Sequence, residues 1–315
     1  MSLSLCHYYT CLRMSNELKY TEHCEINFTK WNNLIDSSKN GRVFNYSWYL
    51  NQFCQWDAII LGDYEAAIPL PISSKWGIKA LLQPNFIQQC NWIGKLPSTN
   101  ELDKIKTIIK SKFSIVHFNT NLALTSNIRK RDNFILDILD WNILEANFNK
   151  SLRKNIKKAS KRNTINYQAN INQTIKLYRL AYGDMAKHLK AYDFNLLAKL
   201  TYKYPESFIN IHVMQDEETT ASLLFAIGKN RIHYILGAPT KKGRTLNSLS
   251  YGLSEVLTKY ANKNLILDFE GSSIKSVKDF YLSYGAKNEP FIEATYYSPL
   301  IKPLILIYNK FFRSI

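Results

Sequence analysis

The sequence predicts a mixed α/β protein of two consecutive units, each a mixed, largely antiparallel sheet flanked by helices. Three observations carry this expectation. The chain of 315 residues exceeds the usual size of a single core. Its second half reads in order as strand, two helices, three strands, helix, strand, helix and strand, the pattern of a mixed sheet. Its first half repeats much of that order more loosely, although no period is visible in the residues themselves.

In the first half, residues 29–35 read as a short helix and 44–53 as an aromatic one. Residues 56–61 and 65–69 are strands joined by the turn Gly62-Asp63, a hairpin signature. Residues 76–82 form another strand. Ser98 followed by Glu101 is a capping box, opening a helix whose apolar face is Leu102, Ile105, Ile108 and Ile109. Residues 115–118 and 134–139 are later strands.

Residues 146–163 form the clearest element. Phe148, Leu152, Ile156 and Ala159 make an apolar stripe on a helix, and Lys150, Arg153, Lys154, Lys157, Lys158, Lys161 and Arg162 occupy the remainder. Like charges at i,i+4 oppose an isolated helix, so an anion is expected to face it. The plain alternative is a solvated joint between units.

Beyond it, strand 165–168 precedes helices 171–189 and 193–204. Strands 208–214 and 219–227 pair through Asp216-Glu217-Glu218, and 231–237 follows. A basic loop, 239–247, leads to helix 248–261, buried strand 265–269, helix 274–283 and strand 291–297. The expected division is 16–144, a basic linking helix 145–163, and 164–315. Residues 1–15 look unlike the rest and are set apart as an extension or cloning remnant, with Met14 an equally good start.

Composition excludes several classes. No apolar run reaches the ~18 residues of a spanning helix, and the N-terminus lacks secretory-signal order, so a cytoplasmic location is expected. The apolar stretch 303–315, with Lys310 and Arg313, is expected to pack on the core, lying on a membrane surface being the alternative. Five cysteines, all within the first 90 residues and without a CxxC, argue for reduced thiols. Six scattered histidines give no metal-ligand spacing, and no metal is expected. Charge is uneven: 15 basic against 12 acidic residues through position 144, but 26 against 13 from 145 onward. Such a field attracts polyanions.

Two constellations could carry chemistry. Lys241, Lys242 and Arg244, followed by Asn247, stand before a helix, where backbone N–H groups and the helix dipole favour phosphate. Asp268 and Glu270 share one face near the end of an apolar strand, where a carboxylate can take a proton from an amine or hydroxyl. Ser272 is a cap or anion ligand there. The bland readings are a basic loop and ordinary turn residues. No GxSxG nucleophile elbow is present.

Residues 152–159 (LRKNIKKA), 267–272 (LDFEGS), Lys278-Asp279-Phe280 and Tyr284-Gly285-Ala286 resemble the FemAB-like branch of the GNAT superfamily. So do YSWYL at 46–50, Ile68-Pro69-Leu70 and QPNFIQQ at 83–89. The resemblance covers about 17–312. It implies tandem GNAT-like (acyl-CoA N-acyltransferase) domains with a cleft between or beside them. Characterised members transfer amino acids from aminoacyl-tRNA to a peptidoglycan precursor. No inserted heptad pair supplies the coiled-coil arm of some members, and a single glycine in 241–245 misses the GNAT pyrophosphate pattern.

The expected function is transfer of an acyl or aminoacyl group from a phosphate-bearing donor, aminoacyl-tRNA or acyl-CoA, to an amine. The acceptor would be a cell-wall or cell-surface precursor, and no cofactor is tightly bound. Glu270 or Asp268 serves the amine. Lys241, Lys242, Arg244, Asn247, Ser272, Arg153, Lys154, Lys157, Tyr46, Trp48, Gln83 and Gln88 bind substrate or phosphate. The alternative is a non-catalytic binder of nucleic acid or anionic surfaces that keeps the fold.

Overall fold

The computed structural model describes residues 17–75, 77–271 and 274–304. Residues 1–16, Trp76, Ser272, Ser273 and residues 305–315 lie outside the described set.

The strands are β1 (Leu18–Thr21), β2 (Gln55–Leu61), β3 (Ala66–Lys75), β4 (Ile78–Leu82), β5 (Ile93–Gly94), β6 (Ile115–Thr120), β7 (Asn127–Arg131), β8 (Phe134–Ile138), β9 (Thr164–Asn166), β10 (Phe208–Gln215), β11 (Glu218–Ile227), β12 (Arg231–Pro239), β13 (Leu265–Asp268), β14 (Lys287–Asn288) and β15 (Phe291–Tyr297). The helices are α1 (Phe28–Ser37), α2 (Ser47–Phe53), α3 (Thr99–Lys112), α4 (Trp141–Asn147), α5 (Lys150–Ala159), α6 (Ile171–Tyr182), α7 (Ala191–Lys203), α8 (Lys241–Leu246), α9 (Ser248–Lys259) and α10 (Lys275–Leu282).

Two mixed sheets result, as the sequence predicts. The first runs β1-β2-β3-β4-β6-β15-β7, with β5 beside β3, and the second β14-β8-β13-β12-β11-β10-β9. Only β4–β6 and β12–β13 pair in parallel among the described strands. Each sheet takes a strand from the opposite end of the chain. β8 pairs with β13 in the second sheet, while β15 lies between β6 and β7 in the first. A strand's alternation says which face is apolar, not which distant edge it joins, so sequence order could not show this exchange.

Local signals hold where they are physical. The Ser98–Glu101 capping box forms, the Glu101 carboxylate accepting the Ser98 amide at 2.7 Å. Gly62 turns β2 into β3 with φ 57°. Leu152, Ile156 and Ala159 are buried as the stripe on α5 requires. Two expectations are corrected. The first is the helix at 171–189, which stops at Tyr182 and leaves 184–190 as turns. The second is the loop at 239–247, where Lys241–Leu246 is helical because the Thr240 hydroxyl accepts the Gly243 amide at 2.9 Å.

The first core gathers Trp31, Trp56, Trp92 and Tyr49, all fully buried. On one face of the second sheet Leu223, Phe225, Ile232 and Leu267 meet α4, α5, α9 and α10. On the other, Leu224 and Leu236 meet α6 and α7. Strand alternation therefore turns Arg231, His233 and Asp268 away from α5 and α9. They face the segment Arg42–Asn45 of the first half, where the Phe44 ring lies 4.6 Å from that of His233.

Gly243 shows how a motif glycine can be a packing residue. A Cβ there would lie 1.9 Å from the Thr220 carbonyl oxygen. Gly243→Ala is expected to push α8 off β11 and cost about 1–3 kcal/mol, measured by denaturant unfolding.

Candidate functional site

The parallel pairing of β12 with β13 sets His233 beside Asp268. Asp268 has no solvent exposure, and one of its oxygens takes Arg42 Nη1 at 2.6 Å and Arg231 Nη1 at 2.7 Å. Its other oxygen accepts the Glu270 amide at 3.0 Å. Both guanidinium groups also reach Glu289, at 2.9 and 2.8 Å. Burial alone would raise the Asp268 carboxyl, but Arg42, His233 and Arg231 outweigh it and hold the group down to about 2. Arg42 belongs to the first half, so this cluster also joins the two sheets.

Glu270 follows with φ 64°, an uncommon backbone state for a residue with a side chain, and Gly271 with φ 69°. Gly271 is demanded by space as well: a Cβ would stand 2.4 Å from the Asp132 carbonyl. The turn brings the Glu270 carboxyl within 2.5 Å of His233 Nδ1. His233 is fully buried, and burial with the nearby Arg42 and Arg231 pushes it down to about 3, so the ring is neutral. Burial, then the Asp268 charge, pushes Glu270 well above the usual carboxylate range. A neutral imidazole thus faces a carboxyl that keeps its proton to higher pH than usual.

His233, Asp268 and Glu270 place ligand atoms within 4.8 Å of one another, a spacing open to a metal ion. Two guanidinium groups already supply the positive charge there, and their repulsion opposes a divalent cation.

The Glu270 side chain is 16% exposed and faces a groove of about 750 Å³ between the sheets. Gln88, Asn119, Arg129, Lys130 and Lys278 share its lining, with His188 from the turns after α6. Arg131 pairs with Glu293 at 2.6 Å and Lys278 with Asp132. Arg129 and Lys130 are exposed and make no ion pair among the described residues. They are the cations available to a ligand.

The structure thus brings together Glu270, Asp268 and Gln88 of the predicted residues, with Gln88 donating to Asn133 Oδ1 at 3.1 Å. Others lie elsewhere. Lys241 opens α8 beyond the far end of β12, whose six steps from His233 to Pro239 span about 20 Å of extended chain. Lys242 pairs with Glu218 at 2.6 Å, Arg244 covers the Tyr182 ring, and Asn247 is the left-handed joint between α8 and α9. Arg153, Lys154 and Lys157 sit on α5, across the second sheet from Asp268. Tyr46 and Trp48 pack as aromatic contacts, Trp48 against Tyr204 of the segment after α7 at 4.6 Å. Gln83 accepts the Asn119 amide at 2.8 Å and so braces the groove wall.

Sequence reading missed His233, Arg42, Arg231, Glu289, Arg129 and Lys130. Two signals were present: a histidine inside the apolar run 232–236, and the triplet Arg129-Lys130-Arg131 in a half that is otherwise nearly charge-balanced. Arg42 meets Asp268 across 226 positions and leaves no local mark.

Fold and site together define a two-sheet α/β protein with a polar, carboxylate-bearing groove where the sheets meet. Its architecture is shared with several solved structures. The chain superposes on FemX with a TM-score of 0.64 at 11% identity, covering 85% of this chain and 96% of that one. L-PGS from Bacillus licheniformis gives 0.53 at 12%, covering 89% and 94%. The C-terminal domain assigned to a lysylphosphatidylglycerol synthetase from Agrobacterium fabrum gives 0.51 at 9%, covering 84% and 90%. No protein-family model and no curated protein matches the chain. The superposition on FemX meets the FemAB-like resemblance read from the sequence at the level of the fold alone.

Proposed function

We propose that the protein transfers an acyl or aminoacyl group from a phosphate-bearing donor to an amine, in the groove between its two sheets. The observation that carries this is Glu270, a desolvated carboxyl tied to a buried histidine and facing a wall with free cations. In the reaction the amine nitrogen attacks the donor carbonyl carbon. A C–N bond forms, the C–O bond of an ester or the C–S bond of a thioester breaks, and the leaving group departs with the electron pair. Glu270 takes the proton that the amine loses, which requires its ionised form, and His233 keeps the carboxyl aimed at the groove. Asp268 has both oxygens occupied and acts by positioning the Glu270 backbone. Arg129 and Lys130 receive donor phosphate.

The lysylphosphatidylglycerol synthetase name borne by one solved structure of this fold supports the reading at the level of reaction type. Within this proposal the donor is aminoacyl-tRNA and the acceptor a cell-wall or lipid precursor.

The test is a thermal-shift panel with coenzyme A, acetyl-coenzyme A, nucleotide sugars and tRNA. A ligand present at ~100 times its dissociation constant stabilises by about 2.7 kcal/mol. Arg129→Ala/Lys130→Ala protein is expected to lose most of the shift given by the true donor. Retention of the full shift by every phosphorylated compound in that variant contradicts the assignment.

A further inference from the structure

The far face of the second sheet carries a surface that the groove does not use. Lys150, Lys154, Lys158 and Arg162 form one row along α5 and the turn after it, and Arg153, Lys157 and Lys161 form a second. All seven are exposed, and none makes an ion pair among the described residues. Between Glu145 and Asp184 the sequence contains no acid at all. Each row repeats like charges at i,i+4, which by itself opposes the helix. The helix stands because Leu152, Ile156 and Ala159 are buried and Asn149 Oδ1 caps the Leu152 amide at 2.7 Å. Packing thus holds seven cations in a fixed array about 18 Å long, and an apposed anionic surface would relieve their repulsion.

The neighbouring element selects the kind of anion. α4 and α5 cover the same core cluster through Leu144, Phe148, Leu152 and Ile156, so their outer sides face the same solvent. Ile143 on α4 is 53% exposed, and Leu139 just before it 43%. Trp141 begins α4, its ring edge-on to Phe148 at 5.8 Å. Cation rows flanked by bare aliphatic side chains and a tryptophan match the chemistry of a bilayer interface. A polynucleotide offers the phosphates but nothing that buries leucine and isoleucine.

We propose that the α4–α5 face docks on an anionic lipid surface, with the lysines and arginines against headgroup phosphates and Leu139 and Ile143 entering the interfacial layer. Glu145 and Glu255, in the furrow between α5 and α9, and Asp140, the N-cap of α4, are the opposing carboxylates on this face. Burial raises Glu255, which weakens its opposition. The proposal is independent of the transfer chemistry, since α5 contributes nothing to the groove.

The experiment is co-sedimentation of the full chain with vesicles of phosphatidylcholine alone and of phosphatidylcholine mixed with phosphatidylglycerol. Binding is expected only to the mixed vesicles and is expected to weaken as salt is added. A cation near such a surface is worth about fivefold in affinity, so Lys154→Gln/Lys157→Gln/Lys158→Gln is expected to lose about a hundredfold. Ile143→Ser is expected to lose about tenfold without changing the salt dependence. All four positions are exposed, and an unchanged melting temperature separates lost binding from lost folding. Equal partition onto both vesicle types, or unchanged binding by the triple variant, overturns the proposal. So does single-stranded RNA binding that the triple variant abolishes in a protein that ignores vesicles. If the triple variant fails to fold, the wild-type lipid and salt dependence still decides.

Discussion

Asp268→Ala protein is expected to lose about 3–5 kcal/mol of stability, a large part of what a domain possesses. The side chain has no exposure, and its removal leaves Arg42 and Arg231 with only the partly exposed Glu289 for a partner. Two buried guanidinium groups with one partly exposed counter-ion are desolvated without full compensation. Because Arg42 and Arg231 come from opposite halves, the loss falls on the junction between the sheets. Urea unfolding followed by tryptophan fluorescence should show it, since all six tryptophans lie in the first 141 residues. A loss below 1 kcal/mol would mean that water already reaches the cluster.

The same residue sets the acid limit. The folded pKa of about 2 lies below the ordinary 3.8. Its stabilisation is therefore complete above about pH 4 and lost as the pH falls toward 2. Asp268→Asn protein should show a flatter stability profile across that window.

Glu270→Gln is expected to lower the rate of group transfer by about 10²–10⁴-fold while the fold persists. The amide keeps the size of the carboxyl and can donate to His233 Nδ1, so the geometry at 2.5 Å has a counterpart. Stability should move the other way. A carboxyl whose folded pKa is raised disfavours the folded state as the pH climbs past its ordinary 4.5, and glutamine removes that cost. Reduced transfer with equal or higher melting temperature at neutral pH is thus the signature of a functional carboxyl. The wild-type rate should rise with pH as Glu270 loses its proton, and the variant should lack that rise. Single-turnover transfer from the donor found by thermal shift measures both. An unchanged rate would leave the groove as a binding site only, the non-catalytic alternative raised by the sequence.

Much of the fold was legible because its signals are local. The Ser98–Glu101 box, the Gly62 turn, the α5 stripe and the 208–227 hairpin each depend on neighbours a few residues apart, and each formed. Alternation along 265–270 correctly put Asp268 near the end of a buried strand. It said nothing of what that buried face would meet. The basic segment 241–244 has a second, structural reason that its sequence does not show: the glycine is required by Thr220, and one lysine pairs with Glu218.

Residue order alone was enough for the two-sheet α/β class, the run of most helices and strands, and the crowding of positive charge onto one helix. Each follows from periodicity or composition within a short window. The exchange of β8 and β15 between sheets, the Arg42–Asp268–Arg231 junction and the His233–Glu270 pair came only with the tertiary structure. They join positions up to 226 residues apart. Their energy comes from desolvation and charge pairing, which do not exist until the two sheets close around them.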